Sequence, residues 1–390
     1  MKQSRLITAL TPFVMALPLA MDIYIPALPG MAAHFQVSPA AMQLTLTLFM
    51  LSAAAMQLII GPLSDQLGRR ATLVLSAILF GIGSMMCAGA DTLTFLVMAR
   101  MIQAAGSCGL FVLGFAIVRD ASSGVQSAKI YAYLSSVIAF SPMFAPFIGS
   151  FLDLAFGWRA TFWGVFVVAI WALASVIFLL HETLPRDRRR PFRLSIFKDY
   201  LEIIQHPRFF WYTLISAMGM SYFYLFCAMS PYIIITLLHI PEAHYGYYFC
   251  FMGVSLFIGS MMSGKVVQRI GIYKTNVLGL GLALAGGLIM TVWYWCTGLS
   301  IDNFIWPMLL IGIGGAFQFG VATGGSMDPF PEKAGAAAGL GGAFRFAFLS
   351  AIGSIVITKD ISSTLPLCVT AVIFSIIGFV ILVWRRADLV

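Results

Sequence analysis

The feature that most restricts this chain is a repeated one: apolar stretches of roughly 18 to 25 residues, separated by short polar breaks. Each is long enough to cross the ~30 Å hydrocarbon core of a bilayer as a helix. Lipid offers no hydrogen bonds to backbone groups, so spanning segments must be helices or closed barrels. A barrel would show alternating segments of ~10 residues, and nothing here alternates in that way. Of 390 residues, 60% are hydrophobic and only 10% are charged, against about a quarter charged in soluble domains. The pattern predicts an all-α integral membrane protein with about twelve spans. In the first half they fall at about 6–28, 40–62, 71–90, 92–117, 130–155 and 160–182. In the second they fall at about 208–233, 244–264, 274–296, 303–325, 334–357 and 365–385. The run after Met1 to Arg5 is too long for a signal peptide, carries Asp22 and is followed by more spans, so it reads as the first transmembrane helix.

The longest break divides six spans from six. It predicts an N-terminal six-helix bundle over 1–182, a cytoplasmic linker over 183–207 with a short surface helix near Leu201, and a C-terminal six-helix bundle over 208–390. The linker is rich in arginine, with Arg186, Arg188, Arg189, Arg190 and Arg193. Of 23 Lys and Arg, only Arg159 and Lys359 fall in outer loops when the N-terminus is inside. Arg100 and Arg345 lie within helices, which leaves nineteen on the cytoplasmic side. That bias places both termini in the cytoplasm. Topology and anionic lipid account for the net charge of +8, with no nucleic-acid partner. Cys87, Cys108, Cys227, Cys250, Cys296 and Cys368 lie inside predicted helices without close spacing, which predicts buried structural thiols and no metal site. The segment Gly259 to Lys265 has phosphate-loop spacing but is followed by Val266 and lies in a helix, so no nucleotide or other cofactor is expected.

The halves echo each other. Gly61 to Arg70 reads GPLSDQLGRR at the end of the second span, and Gly264 to Lys274 reads GKVVQRIGIYK at the end of the eighth. Gly61 aligns with Gly264 and Gly68 with Gly271, while Gln268 stands opposite Asp65. Two six-helix repeats around a binding site is a plan used by transporters.

The segment GPLSDQLGRR resembles the loop signature of the major facilitator superfamily, with Gly61, Asp65, Gly68, Arg69 and Arg70 all fitting. Arg100 with Gln103 to Gly106 resembles the fourth-helix motif, except that Ala104 replaces a glycine. Ser141 to Gly149 (SPMFAPFIG) resembles the fifth-helix antiporter motif, and Asp22 to Pro29 (DIYIPALP) the first-helix motif of drug–proton antiporters. Together these resemble the bicyclomycin and chloramphenicol resistance (Bcr/CflA) branch. The resemblance implies the major facilitator fold, a bacterial inner membrane, protons and a small-molecule substrate as partners, and a monomer sufficient for function. Arg345 in the eleventh helix and Asp328 in the preceding loop depart from that branch.

Several polar residues carry specific expectations. Asp22 lies about six residues from the outer end of its predicted helix, roughly 9 Å deep, and Arg100 roughly 12 Å deep. Intramembrane ionisable residues usually face a wet cavity and often pair. Burial and a neighbouring guanidinium act on a carboxylate's proton affinity in opposite senses, so Asp22 is expected to carry the proton and Arg100 to modulate it. A static ion pair between two helices is the bland alternative. Gly61 and Gly68 are expected to permit a tight turn and close helix approach. Asp65, with Arg69 and Arg70, is expected to form a helix cap or an ion pair that, by family resemblance, gates the cytoplasmic side; simple positive-inside anchoring is the alternative. Pro142, Pro146 and Gly149 suit a hinge or a leak-tight helix contact, and Pro18, Pro26 and Pro29 a bend in the first helix. Arg345 sits near midplane and needs a partner, for which Gln318, backbone carbonyls and an acidic group on the substrate are the options. Tyr222, Phe223, Tyr224 and Tyr232 in the seventh helix, with Gln43 and Gln57 in the second, are candidates for an aromatic ligand wall with a few polar groups.

These expectations describe a secondary transporter that exports small amphipathic compounds or drugs in exchange for protons by alternating access. The alternative is a dedicated transporter, exporter or importer, of one metabolite such as a siderophore or amino acid derivative, anionic if it meets Arg345. A non-transporting receptor is a remote third reading. The sequence has no H-E-x-x-H motif, nucleophile elbow or paired catalytic aspartates, so no enzyme is expected.

Overall fold

The computed structural model describes residues 3–122, 124–184, 189, 196–357 and 361–389. Arg186, Arg188, Arg190, Arg193 and Lys359 lie outside the described residues. The chain divides into two compact units. One comprises Met1–Gln36 and Leu44–Ile196, the other Val37–Gln43 and Phe197–Val390.

The first unit holds α1 (Gln3–Asp22), α2 (Leu28–Phe35), α4 (Leu44–Leu67), α5 (Arg69–Ala88), α6 (Leu93–Ala121), α7 (Gly124–Phe156) and α8 (Arg159–Phe178). The short α3 (Pro39–Met42), started by Ser38 Oγ accepting from Ala41 N–H at 3.2 Å, belongs to the second unit. That unit continues with α9 (Ile196–Gln205), α10 (Pro207–Pro231), α11 (Glu242–Thr297), α12 (Ile301–Met327), α13 (Ala334–Val356), α14 (Leu365–Trp384) and α15 (Arg386–Leu389).

Among the described residues, eleven helical segments are long and apolar enough to cross a membrane. One is the 56-residue α11, which at 1.5 Å per residue would be about 84 Å long if straight. It is not straight. Gly271 has φ 80° and ψ 170°, a conformation open to glycine, and this breaks α11 into two crossings. Ten single crossings and one double crossing give twelve. The separate spans expected at 244–264 and 274–296 are thus nearly continuous, because the turn between them is one residue wide.

Within the first unit α1 packs on α6, α7 and α8, and α5 on α6 and α8; within the second α11 packs on α12 and α14, and α10 on α12 and α13. Burial is inverted relative to a water-soluble bundle. Phe156 and Phe178 are 74% exposed, while Arg100, Gln103, Asn276 and Gln318 are fully buried. Apolar side chains outward and polar ones inward is what a bilayer solvent selects. The same inversion corrects the cysteine expectation. Cys87, Cys108, Cys227 and Cys368 are buried, but Cys250 is only partly buried and Cys296, next to the last residue of α11, is exposed.

Candidate functional site

Asp22 is the last residue of α1. Pro26 has no N–H to close on the Asp22 carbonyl, and the chain passes through a 3₁₀ turn, Ile25–Ala27, before α2 resumes. α1 runs through Pro12 and Pro18, so the break belongs to Pro26 and Pro29. The first membrane segment extends to Phe35, not to about residue 28. Asp22 is therefore 35 − 22 = 13 residues from its end, up to about 20 Å along the chain axis, and lies deeper than the sequence suggested. Its side chain is buried, and Oδ1 has no hydrogen-bond partner.

Gly149 of α7 lies against the same break. A Cβ at Gly149 would overlap the Ile23 carbonyl oxygen and come within 2.8 Å of its carbon. The backbone of the antiporter motif therefore covers the residue next to Asp22, and only glycine leaves room for it. Pro142 and Pro146 lie inside the same helix, which continues through both.

Arg100 comes to the same region, but not as an ion pair. Its Nη1 donates to the Ala20 carbonyl at 2.8 Å and to Gln103 Oε1, and Gln103 Nε2 donates to Ser84 Oγ at 2.9 Å. The guanidinium carbon lies 4.3 Å from the Tyr24 ring centroid and 4.1 Å from that of Phe49. Such contacts are each worth up to about 2 kcal/mol when desolvated. Tyr24 is itself held by Thr45, hydroxyl to hydroxyl at 3.0 Å. Among the described residues neither Asp22 nor Arg100 joins an ion pair. Aromatic faces and neutral oxygens occupy the space around Arg100, which rules out the static Asp22–Arg100 pair in this conformation.

The α4–α5 turn is a second polar centre. Gly68 has φ 98°, and a Cβ there would meet Glu182 Oε2 at 2.5 Å and Arg189 Nη2 at 2.6 Å. The Glu182 carboxylate accepts from the Arg69 backbone N–H at 3.0 Å and the Arg70 N–H at 3.4 Å, capping the start of α5. The Arg69 side chain is buried and pairs with Asp65 at 2.8 Å and Asp120 at 2.9 Å, and it also donates to Ser64. Arg70 reaches the Ile177 carbonyl at 3.0 Å. Gly61 does not serve close approach. It lies inside α4, and a Cβ there would meet nothing within 4 Å. The turn needs only Gly68.

In the second unit the candidate residues separate. Tyr224 Oη accepts from Gln43 Nε2 at 2.9 Å. Tyr222, two residues away and so on another side of α10, places its hydroxyl beside the Gln318 amide and the Ser375 hydroxyl. Neither Tyr222 Oη nor either amide atom of Gln318 meets hydrogen-bond geometry, and all three atoms are buried. Phe223 packs on Phe249, and Tyr232 opens a π-turn, Tyr232–Leu237. The four aromatic candidates thus lie in separate environments. Gln57 is buried within α4 of the first unit. Arg345 does not bond Gln318. Its contact is Thr323 Oγ1, at 3.5 Å from Nη1, five residues further along α12. Asp328 pairs with Arg208 at 3.2 Å.

The residues missed by sequence reasoning are mostly acceptors: Glu182, Asp120, Ser84, Thr323 and Ser216. Asp120 and Glu182 had a signal. Each is an acid at the end of a span on the arginine-rich side, where the charge bias favours bases. The serines and threonines had none, because hydroxyls inside membrane helices usually bond their own backbone.

Comparison with known proteins agrees with this geometry. The chain aligns over 352 residues at 29% identity with the chloramphenicol resistance protein of Pseudomonas aeruginosa, covering 90% of this chain and 83% of that one. It aligns over 380 residues at 27% identity with a bicyclomycin resistance protein homolog of Haemophilus influenzae, covering 95% and 94%. The multidrug resistance protein MdtL of Escherichia coli O157:H7 is 28% identical over 337 residues, covering 86% and 83%. Among solved structures, a D-xylose–proton symporter superposes with a TM-score of 0.77 at 14% identity, covering 97% of both chains. A nucleoside transporter does so with a TM-score of 0.76 at 11% identity, covering 99% of both. The family model of the Major Facilitator Superfamily matches residues 10–354. The twelve crossings, the glycine turn with its charged clasp and this match lead to one conclusion: the chain is a multi-pass membrane transporter belonging to the Major Facilitator Superfamily.

Proposed function

We propose that this transporter is a proton-coupled exporter of small amphipathic compounds that works by alternating access, as one chain, in the inner membrane of a bacterium with both termini in the cytoplasm. The observation that carries the proposal is Asp22, a buried carboxylate with an unpartnered oxygen, placed at a helix break deep in the first unit. Such a group can be satisfied in two ways, by a proton or by a cationic or donor group of the cargo. Competition between the two for one carboxylate is sufficient to couple their fluxes in opposite directions. Arg100, held by Tyr24, Phe49 and the Ala20 carbonyl, sets the local field without neutralising the acid. The drug-resistance names of the relatives support the cargo class.

Asp65, Arg69 and Arg70, with Asp120 and Glu182, act in this reading as a latch that holds α4, α5 and α6 together in one state of the cycle. Pro142, Pro146 and Gly149 let α7 close over the break at Ile23. The test uses inverted membrane vesicles loaded with acid and a fluorescent reporter of the internal proton load. Antimicrobials, dyes, amino acids and siderophores are added in turn. At least one compound is expected to dissipate the gradient with the wild-type protein and not with Asp22→Asn. An Asp22→Asn protein that still couples sinks the role of Asp22; a well-expressed wild type that responds to no compound sinks the exporter.

A second reading, transport of one anionic metabolite, is favoured by Arg345, a buried cation with no acid beside it among the described residues.

A further inference from the structure

We propose that Arg345, oriented by Thr323 with Ser216 behind it, forms a subsite in the second unit that binds one carboxylate group of an amphipathic solute through its guanidinium, with Phe319 contacting the apolar part. This deepens the exporter reading and rests on it for the direction of transport, but not for binding.

Arg345 is the central residue of α13, eleven residues from Ala334 and eleven from Val356, or about 16 Å from either end. It is 8% exposed. A guanidinium has five N–H donors and no acceptor. Among the described residues its hydrogen-bond contact is Thr323 Oγ1 at 3.5 Å, a long contact to a neutral atom, and its carbon lies 5.8 Å from the Phe319 ring centroid. The Thr323 hydroxyl donates to the Phe319 carbonyl at 2.6 Å, so its lone pairs are turned to incoming donors. Ser216 Oγ donates to the same Phe319 carbonyl at 3.2 Å and lies 2.8 Å from Thr323 Oγ1, which holds in place the hydroxyl that accepts from Arg345.

The cluster has room beside it. Phe319, Gly320 and Gly324 form an exposed strip on α12, and a Cβ on either glycine would meet nothing within 4 Å. Positions 320 and 324 are one turn apart and share a face. On α13 itself Gly341, four residues before Arg345, has no side chain to crowd the guanidinium. Arg100 is enclosed by two rings, a carbonyl and an amide oxygen, whereas Arg345 rests on Thr323, which adjoins the open positions of Gly320 and Gly324 on α12.

A buried guanidinium is best completed by a group that accepts two parallel hydrogen bonds and cancels one charge. A carboxylate does both. A doubly charged phosphate would leave a net negative charge in the apolar span, which is costly. The depth of Arg345 also separates it from lipid headgroups.

The test is equilibrium binding to the purified full-length protein in phosphatidylcholine nanodiscs. The probes are a matched pair, 7-diethylaminocoumarin-3-carboxylic acid and its N-ethylcarboxamide. Wild type is expected to prefer the acid by about tenfold or more. Arg345→Gln should weaken the acid at least tenfold and the amide much less, removing most of the acid preference, and Arg345→Lys should keep part of it. Thr323→Val should reduce it a few-fold, and it gives a second readout should Arg345→Gln not fold. Equal acid-to-amide ratios in wild type and variants overturn the proposal, as does a wild type that does not bind the acid. Proton release driven by the panel of antimicrobials, dyes, amino acids and siderophores in vesicles tests the exporter separately. Acid binding without proton release would sink the exporter and leave the subsite; proton release without acid preference would do the reverse.

Discussion

Gly68 and Gly271 end the second crossing of their respective halves with nearly the same backbone, φ 98° and ψ 154° against φ 80° and ψ 170°. Four residues on, Thr72 Oγ1 donates to the Gly68 carbonyl at 2.8 Å, and Thr275 Oγ1 donates to the Gly271 carbonyl at 2.7 Å. One glycine and one threonine therefore suffice to build the turn. The surroundings differ. At Gly68, Glu182 caps α5 while Arg69 joins Asp65 to Asp120; at Gly271, Ile272 and Tyr273 replace the two arginines and Gln268 replaces the aspartate. Among the described residues, the ion pairs that the backbone does not need occur at the first turn only. The spans repeat the lesson: each unit buries an arginine that joins no ion pair among the described residues, Arg100 and Arg345, but the first adds a buried acid with an unpartnered oxygen, Asp22.

The largest effect should come from testing that division. Asp22→Asn is expected to abolish substrate-driven proton movement in vesicles, while Arg345→Gln leaves proton movement driven by a neutral compound intact. Loss of coupling in both variants would break the comparison, because it would make the second unit's cation part of the proton path.

The two turns can be set against each other in the same way. Gly68→Ala and Gly271→Ala both force a side chain into a backbone region that costs about 1–3 kcal/mol. Only at Gly68 would the new methyl also displace Glu182 and Arg189, whereas Gly271 has open space around it. Gly68→Ala should therefore lower thermal stability and transport rate more than Gly271→Ala. Equal losses would mean that the clasp contributes nothing beyond the turn.

How far the sequence revealed this follows from which residues carry backbone geometry. The twelve crossings were legible because apolar length is fixed by the bilayer. The alignment of Gly68 with Gly271 was legible because a positive φ needs glycine. Pro26 and Pro29 announced the break after Asp22, but not its depth, since α2 continues the span to Phe35. Partnerships were not legible. Asp22 and Arg100 reach the same region without pairing, because rotamer and ring placement decide which oxygens meet the guanidinium. Arg345 chose Thr323 over Gln318 for the same kind of reason, a difference of five positions along α12.

A smaller effect is expected from Glu182→Gln, which makes the first turn more like the second. The amide keeps an acceptor for the Arg69 and Arg70 N–H groups but loses the charge that favours a helix N-terminus. The cost should be about 1 kcal/mol, read as a fall of about 2 °C in apparent melting temperature. No change would show that the cap acts through shape alone.

The smallest effect concerns the second unit's own charged clasp. Lys333, just before α13, reaches Asp199 at 2.9 Å and Glu202 at 2.6 Å on α9, while Ile203 packs below against Phe209 and Ala337. Arg69 is nearly buried in its clasp, but the Lys333 side chain is 36% exposed, and water screens such pairs. Lys333→Gln should speed amide exchange in α9 by about twofold, because the apolar contacts of Ile203 remain. The pH dependence has a fixed sign. Hydrogen bonds to Glu202 and Asp199 raise the Lys333 pKa above its ordinary value. The contribution is therefore complete below the ordinary lysine value and is lost only as pH rises through the folded one. Between pH 7 and pH 9 the difference between wild type and Lys333→Gln should stay constant. A difference that fades in that window would mean that some group other than the Lys333 ammonium holds α9 in place.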